Sequence, residues 1–170
     1  MRRIVLSLLV ENTAGVLSRI AGLFSRRGYN IDSLTVGVTD DPNLSRMTVV
    51  ARGDDEILEQ IEKQLSKLID VISIKELPEH ASVTRELILV RVQSKPEERQ
   101  QIIAVADIFR AKIVDVAEDS MMVELTGNQV KLDAFIHLLG QYRILELART
   151  GITGLGRGMN LEETEGPSII

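Results

Sequence analysis

The chain has 170 residues, 44% of them hydrophobic and 26% charged, enough apolar material for one ordinary domain or two small ones and too much for a disordered chain. Its net charge is −5, with 10 basic against 12 acidic residues in 1–80 and 10 against 13 in 81–170, so no basic module is present to track a nucleic-acid backbone. Cys is absent, which excludes disulfides, thiolate metal ligands and a cysteine nucleophile, and fits a reducing cytoplasm.

Met1-Arg2-Arg3 and the aliphatic run Ile4 to Val10 have the basic start and apolar stretch of a signal peptide. Glu11-Asn12 ends the run early and no small-residue cleavage pattern follows, so it reads as a first strand. Asn12-Thr13 offer capping side chains for a helix whose stripe is Val16, Leu17, Ile20, Leu23 and Phe24, closed by Arg26-Arg27-Gly28. From Ile31 to Thr39, Leu34, Val36 and Val38 alternate with Ser33, Thr35 and Gly37, the pattern of a strand with one apolar face. Asp40-Asp41-Pro42-Asn43 is turn chemistry, and Leu44 to Ala51 returns as the second arm of a hairpin. Gly53-Asp54-Asp55 opens a second helix with Ile57, Ile61, Leu65 and Leu68 on one side, and Val71 to Ile74 is a fourth strand.

Pro78 to Ser82 reads as a linker. Beyond it the same order recurs at an offset of about 80 residues. Glu86 to Val92 is a strand, Pro96 to Ala111 a helix with Ile102, Ala106 and Phe109 on one face, and Lys112 to Val116 and Met121 to Leu125 are strands. A last helix carries Val130, Leu132, Phe135, Leu138 and Leu139 before a strand at Ile144 to Ala148. The expected class is α+β, two ferredoxin-like βαββαβ sandwiches in tandem over residues 1–77 and 83–158, with a tail at 159–170. The stretch from Gly151 onward, rich in glycine and then glutamate, is expected to be mobile or to order on a partner. The helix-poor face of the first sheet carries too little charge for a comfortable outer surface, so sheet edges or faces are expected to be buried in a homodimer. No apolar stretch approaches the roughly 20 residues of a membrane span.

No catalytic residue is identified. His80 falls in the linker and His137 on the polar flank of the last helix, positions of surface residues rather than general bases, and two isolated histidines without Cys do not make a zinc site. Gly154-Leu155-Gly156-Arg157-Gly158 has no helix after it to make a phosphate loop, and Glu97-Glu98 and Glu162-Glu163 read as helix-start and tail solvation. Leu44 to Ala51 contains no aromatic side chain, so RNA stacking of the kind this fold supports elsewhere is not available.

Two polar segments stand out. At Glu11 to Leu17 a helix N-terminus presents backbone N–H groups, Gly15 lets a ligand or another backbone approach, and Asn12 offers a donor and an acceptor; an ordinary N-cap with a packing glycine is the alternative. At Gly28 to Ile31, Asn30 enters the second strand, and the alternative is a turn Asn beside a C-cap Gly. If two subunits pair side by side, Asn30 of one could meet the first loop of the other. The amides would hold an amino acid by its polar end, and Val16, Leu17 and Ile31 would surround a small aliphatic side chain without any charged group.

Glu11 to Arg19, Phe24 to Leu34 and Asp41 to Thr48 closely resemble the regulatory small subunits of acetolactate synthase (acetohydroxyacid synthase). The likeness continues through Gln60 to Asp70, Asp107 to Arg110, Leu132 to Phe135 and Ala148 to Gly151, nearly the whole chain. It implies an ACT domain at the N-terminus, followed by a second ferredoxin-like domain. It also implies a cytoplasmic, non-catalytic role in branched-chain amino-acid biosynthesis, in which this chain activates a large catalytic subunit and confers feedback inhibition by valine. Family valine sites lie where two ACT domains pair, which carries over to Asn12, Gly15, Val16, Leu17, Asn30 and Ile31. Thiamine diphosphate, Mg²⁺ and FAD would belong to the catalytic partner, with no cofactor in this chain. A free-standing ACT-type amino-acid sensor acting on another enzyme is the competing reading, and a self-sufficient enzyme a third.

Overall fold

The computed structural model describes residues 1–158 and 164–165. Two compact units are present, one of Met1–Val83 together with the stretch that begins at Ile152, the other of Thr84–Gly151. Each is an α+β sandwich built on an antiparallel sheet.

In the first unit β1 (Arg2–Glu11), α1 (Val16–Arg26), β2 (Ile31–Val38), β3 (Leu44–Gly53), α2 (Asp55–Ser66) and β4 (Val71–Glu76) follow one another, and the sheet order is β4-β1-β3-β2. The register sets Ile4 opposite Ala51, Leu6 opposite Val49 and Leu8 opposite Met47 on the helix-facing side. Val16, Ile20, Leu23 and Phe24 of α1 and Leu58, Ile61 and Leu65 of α2 close over them. Each such aliphatic side chain contributes about 1.5–3 kcal/mol on burial. The α2 stripe is turned slightly from the expected one: Leu58 is buried, while Ile57 and Leu68 are only partly so.

The other face of this sheet carries the row Thr35, Thr48, Ser7 and Lys75. Part of its cover comes from the same chain. Ile152 is buried, its N–H donates to Ser33 Oγ at 2.9 Å, and its carbonyl accepts from Thr35 Oγ1 at 2.9 Å. The strand β9 (Thr153–Gly156) follows, and Arg157 donates from its backbone to Ala81 O and from Nε to Ser82 O. Gly151–Gly158 is therefore tied down rather than mobile, and residues 152–158 lie with the first unit rather than the second. A short strand β10 (Thr164–Glu165) adds to the edge of β4. The rest of the 159–170 tail lies outside the described residues.

The second unit repeats the plan with β5 (Ser82–Gln93), α3 (Arg99–Phe109), β6 (Lys112–Val116), β7 (Ser120–Gly127), α4 (Gln129–Leu139) and β8 (Ile144–Arg149), in the order β6-β7-β5-β8. Ile88, Val90, Val92, Val123, Phe135 and Leu139 are fully buried, and Phe135 meets Phe109 at 5.2 Å between ring centres. Helix α3 starts after a turn at Pro96 and stops before Ala111, because Arg110 takes a left-handed φ of 58° and Ala111 N–H returns to Ala106 O at 2.8 Å. Val130 and Leu138 of α4, expected on the apolar face, are 78% and 41% exposed. The expected linker contains a turn of 3₁₀ helix at Glu79–Ala81.

Candidate functional site

The loop between β1 and α1 is held by tertiary bonds rather than by a local cap. Asn12 N–H donates to Asn43 O at 2.7 Å and its Nδ2 donates to Pro42 O at 3.0 Å, fastening the loop to the β2–β3 turn. Both bonds use Asn12 away from the helix it was expected to cap. The N-cap position is Gly15, with φ 87° and ψ −7° and no side-chain hydrogen bond. The first turn of α1 thus presents N–H groups that no side chain satisfies, and it contains no acidic residue, so its positive dipole end is uncompensated within that turn. Val16 points into the core, whereas Leu17 is 49% exposed beside Gly15.

Arg19, one helical turn beyond Gly15, is the neighbour that sequence reasoning missed. Helical side chains lean toward the N-terminus, so the i+4 spacing carries a signal for this contact. Arg19 Nε donates to Asp70 Oδ2 at 2.5 Å, and the carbonyl of the same, largely buried Asp70 accepts from Glu11 N–H at 2.9 Å. The hydrogen bond to Asp70 raises the guanidinium pKa above its ordinary value, and the charges of Asp70 and Glu11 add to this against desolvation. A permanent cation therefore borders a loop expected to work without charge.

Asn30 and Ile31 lie elsewhere. Ile31 pairs with Ala51, which pairs with Ile4 of β1, while the Asn12 loop leaves β1 beyond Glu11, which pairs with Leu44. From Leu44 to Ala51 the strand covers about 23 Å at roughly 3.3 Å per residue, so the two polar segments sit at opposite ends of one sheet. Asn30 Nδ2 donates to Asp32 Oδ1 at 3.0 Å, and Asp32 forms an ion pair with Arg52. Of the candidate residues, one chain brings together Asn12, Gly15, Val16 and Leu17, and separately Asn30 and Ile31. His80 and His137 are both exposed, and no group of three or more His, Asp or Glu suited to a metal ion occurs among the described residues.

The chain is similar to known proteins along nearly its whole length. A family model described as "AHAS small subunit-like ACT domain" matches residues 6–73, and one described as "Small subunit of acetolactate synthase" matches residues 85–158. A probable acetolactate synthase small subunit of Archaeoglobus fulgidus is 55% identical over 153 residues, 90% of this chain and 96% of that protein. The acetolactate synthase isozyme 3 small subunit of Escherichia coli K12 is 52% identical over 159 residues, 93% of this chain and 97% of that one. The crystal structure of an acetolactate synthase small subunit from Thermotoga maritima superposes with a TM-score of 0.87 at 42% identity, covering 94% of this chain and 99% of its own.

Proposed function

Because this chain belongs to the acetolactate synthase small-subunit family, we propose that it activates the large catalytic subunit in the cytoplasm and makes that enzyme sensitive to valine. Its part is regulatory and non-catalytic. On this reading thiamine diphosphate, Mg²⁺ and FAD are held by the large subunit.

The observation that carries the valine reading is the placement of the two polar segments at opposite ends of the first sheet. Strand β2 is the free edge of that sheet and has one charged residue, Asp32, in its eight. Two copies paired along β2 about a two-fold axis run antiparallel. The Asn30 end of one strand then adjoins the Val38 end of the other. Val38 pairs with Ser45, next to Leu44 and Glu11, so that end is also the end of the Asn12–Gly15 loop. Each homodimer of this kind completes two equivalent sites, built from Asn12, Gly15, Val16 and Leu17 of one copy and Asn30 and Ile31 of the other.

Valine fits such a site chemically. Its carboxylate meets the N–H groups of Gly15, Val16 and Leu17 at a helix N-terminus, an interaction of about 0.3–1 kcal/mol that rises to about 2 when partly buried. The Asn amides serve the α-amino end, and Leu17 and Ile31 supply apolar contact, while buried Val16 contributes backbone only. A ligand of about eight heavy atoms binds in the micromolar to millimolar range. Bridging two copies gives valine a differential affinity for one dimer geometry, and such coupling is typically about 1–3 kcal/mol.

Calorimetric titration of the full chain with valine, leucine and isoleucine, with sedimentation run in parallel, tests this. Saturable heat with a dimer supports it. A monomer that ignores all three amino acids refutes it, and failure to co-purify with a large subunit favours a free-standing sensor instead.

A further inference from the structure

The ends of α1 and α2 border an open cleft of about 780 Å³ on the far side of the first unit from its sheet. Its floor is apolar, made by Leu23, Leu68 and the ring of Tyr29, and Tyr29 OH donates to Gln60 Oε1 at 3.0 Å across it. Its rim carries Arg26, Arg27 and Lys67 and no carboxylate.

These cations differ from most others of the unit, Arg3 of β1 being a further one that takes part in no ion pair among the described residues. Arg2 pairs with Asp55 and Glu76, Arg19 with Asp70, Arg52 with Asp32 and Lys63 with Glu59, and Arg46 donates to Ser7 Oγ. Arg26, Arg27 and Lys67 take part in no ion pair among the described residues, although the chain as a whole carries a net charge of −5. Three unpaired cations therefore converge on one groove of an otherwise acidic protein.

Placement at helix C-termini explains why each cation is tolerated there, since the dipole end is negative. The carbonyls of Phe24, Ser25, Lys63, Gln64, Leu65 and Leu68 at these helix ends already accept hydrogen bonds within the chain, so the side chains decide what fits. A bare phosphate uses the cationic rim alone. An extended acidic peptide sets its carboxylates on Arg26, Arg27 and Lys67, lays apolar side chains on Leu23, Leu68 and Tyr29, and offers backbone groups to Gln64.

We propose that this cleft is the docking groove for an acidic segment of the large catalytic subunit. The inference rests on the partner reading above, and the cleft shares none of the valine-site residues, although its Tyr29 adjoins Asn30. Rim charges of this type act through encounter rate and salt dependence.

The test compares the full chain with the triple variant Arg26→Gln, Arg27→Gln, Lys67→Gln in association with the purified large subunit over a range of salt. A Lys95→Gln, Lys112→Gln, Arg143→Gln variant serves as a charge-matched control in the second unit. The expected result is association at least about tenfold weaker for the triple variant, with a flatter salt slope, unchanged thermal unfolding and near-native binding by the control. Equal binding by the triple variant overturns the inference while leaving the partner reading intact. So does an equal loss in the control. Inorganic triphosphate that binds the unmodified chain but not the triple variant, with subunit association unaltered, assigns the cleft to a small anion and overturns it as well. If the unmodified chain and the large subunit do not associate, both readings fall.

Discussion

The guanidinium of Arg19 lies directly over Gly15, its Nη1 2.9 Å from where a β-carbon on Gly15 would stand. The same glycine holds φ at 87°, which an L side chain resists by roughly 1–2 kcal/mol. Gly15→Ala is therefore expected to lower unfolding free energy by about that amount, because the arginine tip can move aside but the backbone strain remains. Gly15→Asp adds a carboxylate that competes with Asp70 for Arg19 and repels an incoming ligand carboxylate. In the reconstituted enzyme this variant should keep activation and lose valine inhibition. Inhibition at the unmodified level would remove Gly15 from the ligand site.

Strand β2 provides the second prediction. Val36 and Val38 are 49% and 62% exposed at the free edge of the sheet. In the two-fold pairing of β2 with itself these positions lie opposite the Asn30–Asp32 end of the partner strand, and lysines there bring strongly hydrated charge into an apolar seam, a device that natural edge strands use against pairing. Val36→Lys with Val38→Lys should sediment as a monomer while its thermal unfolding stays cooperative, and its valine heat should disappear along with the dimer. A dimeric double variant that still binds valine would place the seam elsewhere.

Much of this architecture was legible because the strands carry their burial in their residue types. Ile4, Leu6, Leu8 and Val10 against Met47, Val49 and Ala51 need only period two and a turn at Asp41-Pro42 to find one another. Tertiary bonds are what local pattern lacks. Asn12 has the chemistry of a cap, yet its side chain goes to Pro42 O, thirty residues away in sequence. The return of Ile152 across Ser33 and Thr35 rests on two hydroxyls that read as ordinary polar positions of a strand. At the site, the residue types of Asn12, Gly15 and Asn30 were legible, whereas the separation of Asn30 from Gly15 emerged only from strand register. Arg19 is signalled by its i+4 spacing to Gly15, but spacing alone does not separate it from a solvent-facing helix arginine, and its partner Asp70 is 51 residues away in sequence.

In the second unit, Arg149 makes a forked contact with Glu86, at 2.7 Å from Nε and 3.1 Å from the same guanidinium's Nη2, and reaches Asp133 at 3.0 Å. The Glu86 hydrogen bond raises the Arg149 pKa, with smaller support from Asp133, so the cation stays charged at every pH at which the protein is handled. The Glu86 side chain is only 6% exposed. Arg149→Met leaves that carboxylate without its partner. Fully buried pairs lose about 3–5 kcal/mol on such a change, and the partial exposure of Arg149 reduces the expected loss to about 2–3 kcal/mol. Changing Glu86→Gln together with Arg149→Met should recover most of it, which urea unfolding of the single and the double variant would measure. Equal losses in the single and double variants would mean that the pair matters by packing alone.

Thr48 is buried on the helix-free face of the first sheet, between Thr35 and Ser7 in register, and its hydroxyl has no hydrogen-bond partner among the described residues. Ser7 Oγ accepts from Arg46 and Thr35 Oγ1 donates to Ile152 O, and neither neighbour forms a hydrogen bond with Thr48 Oγ1. A buried hydroxyl without a partner costs about 1–3 kcal/mol. Thr48→Val keeps the β-branched shape that suits a strand and removes only that oxygen. The variant should unfold at higher urea with an unchanged m-value, corresponding to about 1 kcal/mol of added stability. A destabilised Thr48→Val would show that the hydroxyl has a partner in solution, an ordered water being the simplest one, and that the polar row across this face is fully satisfied.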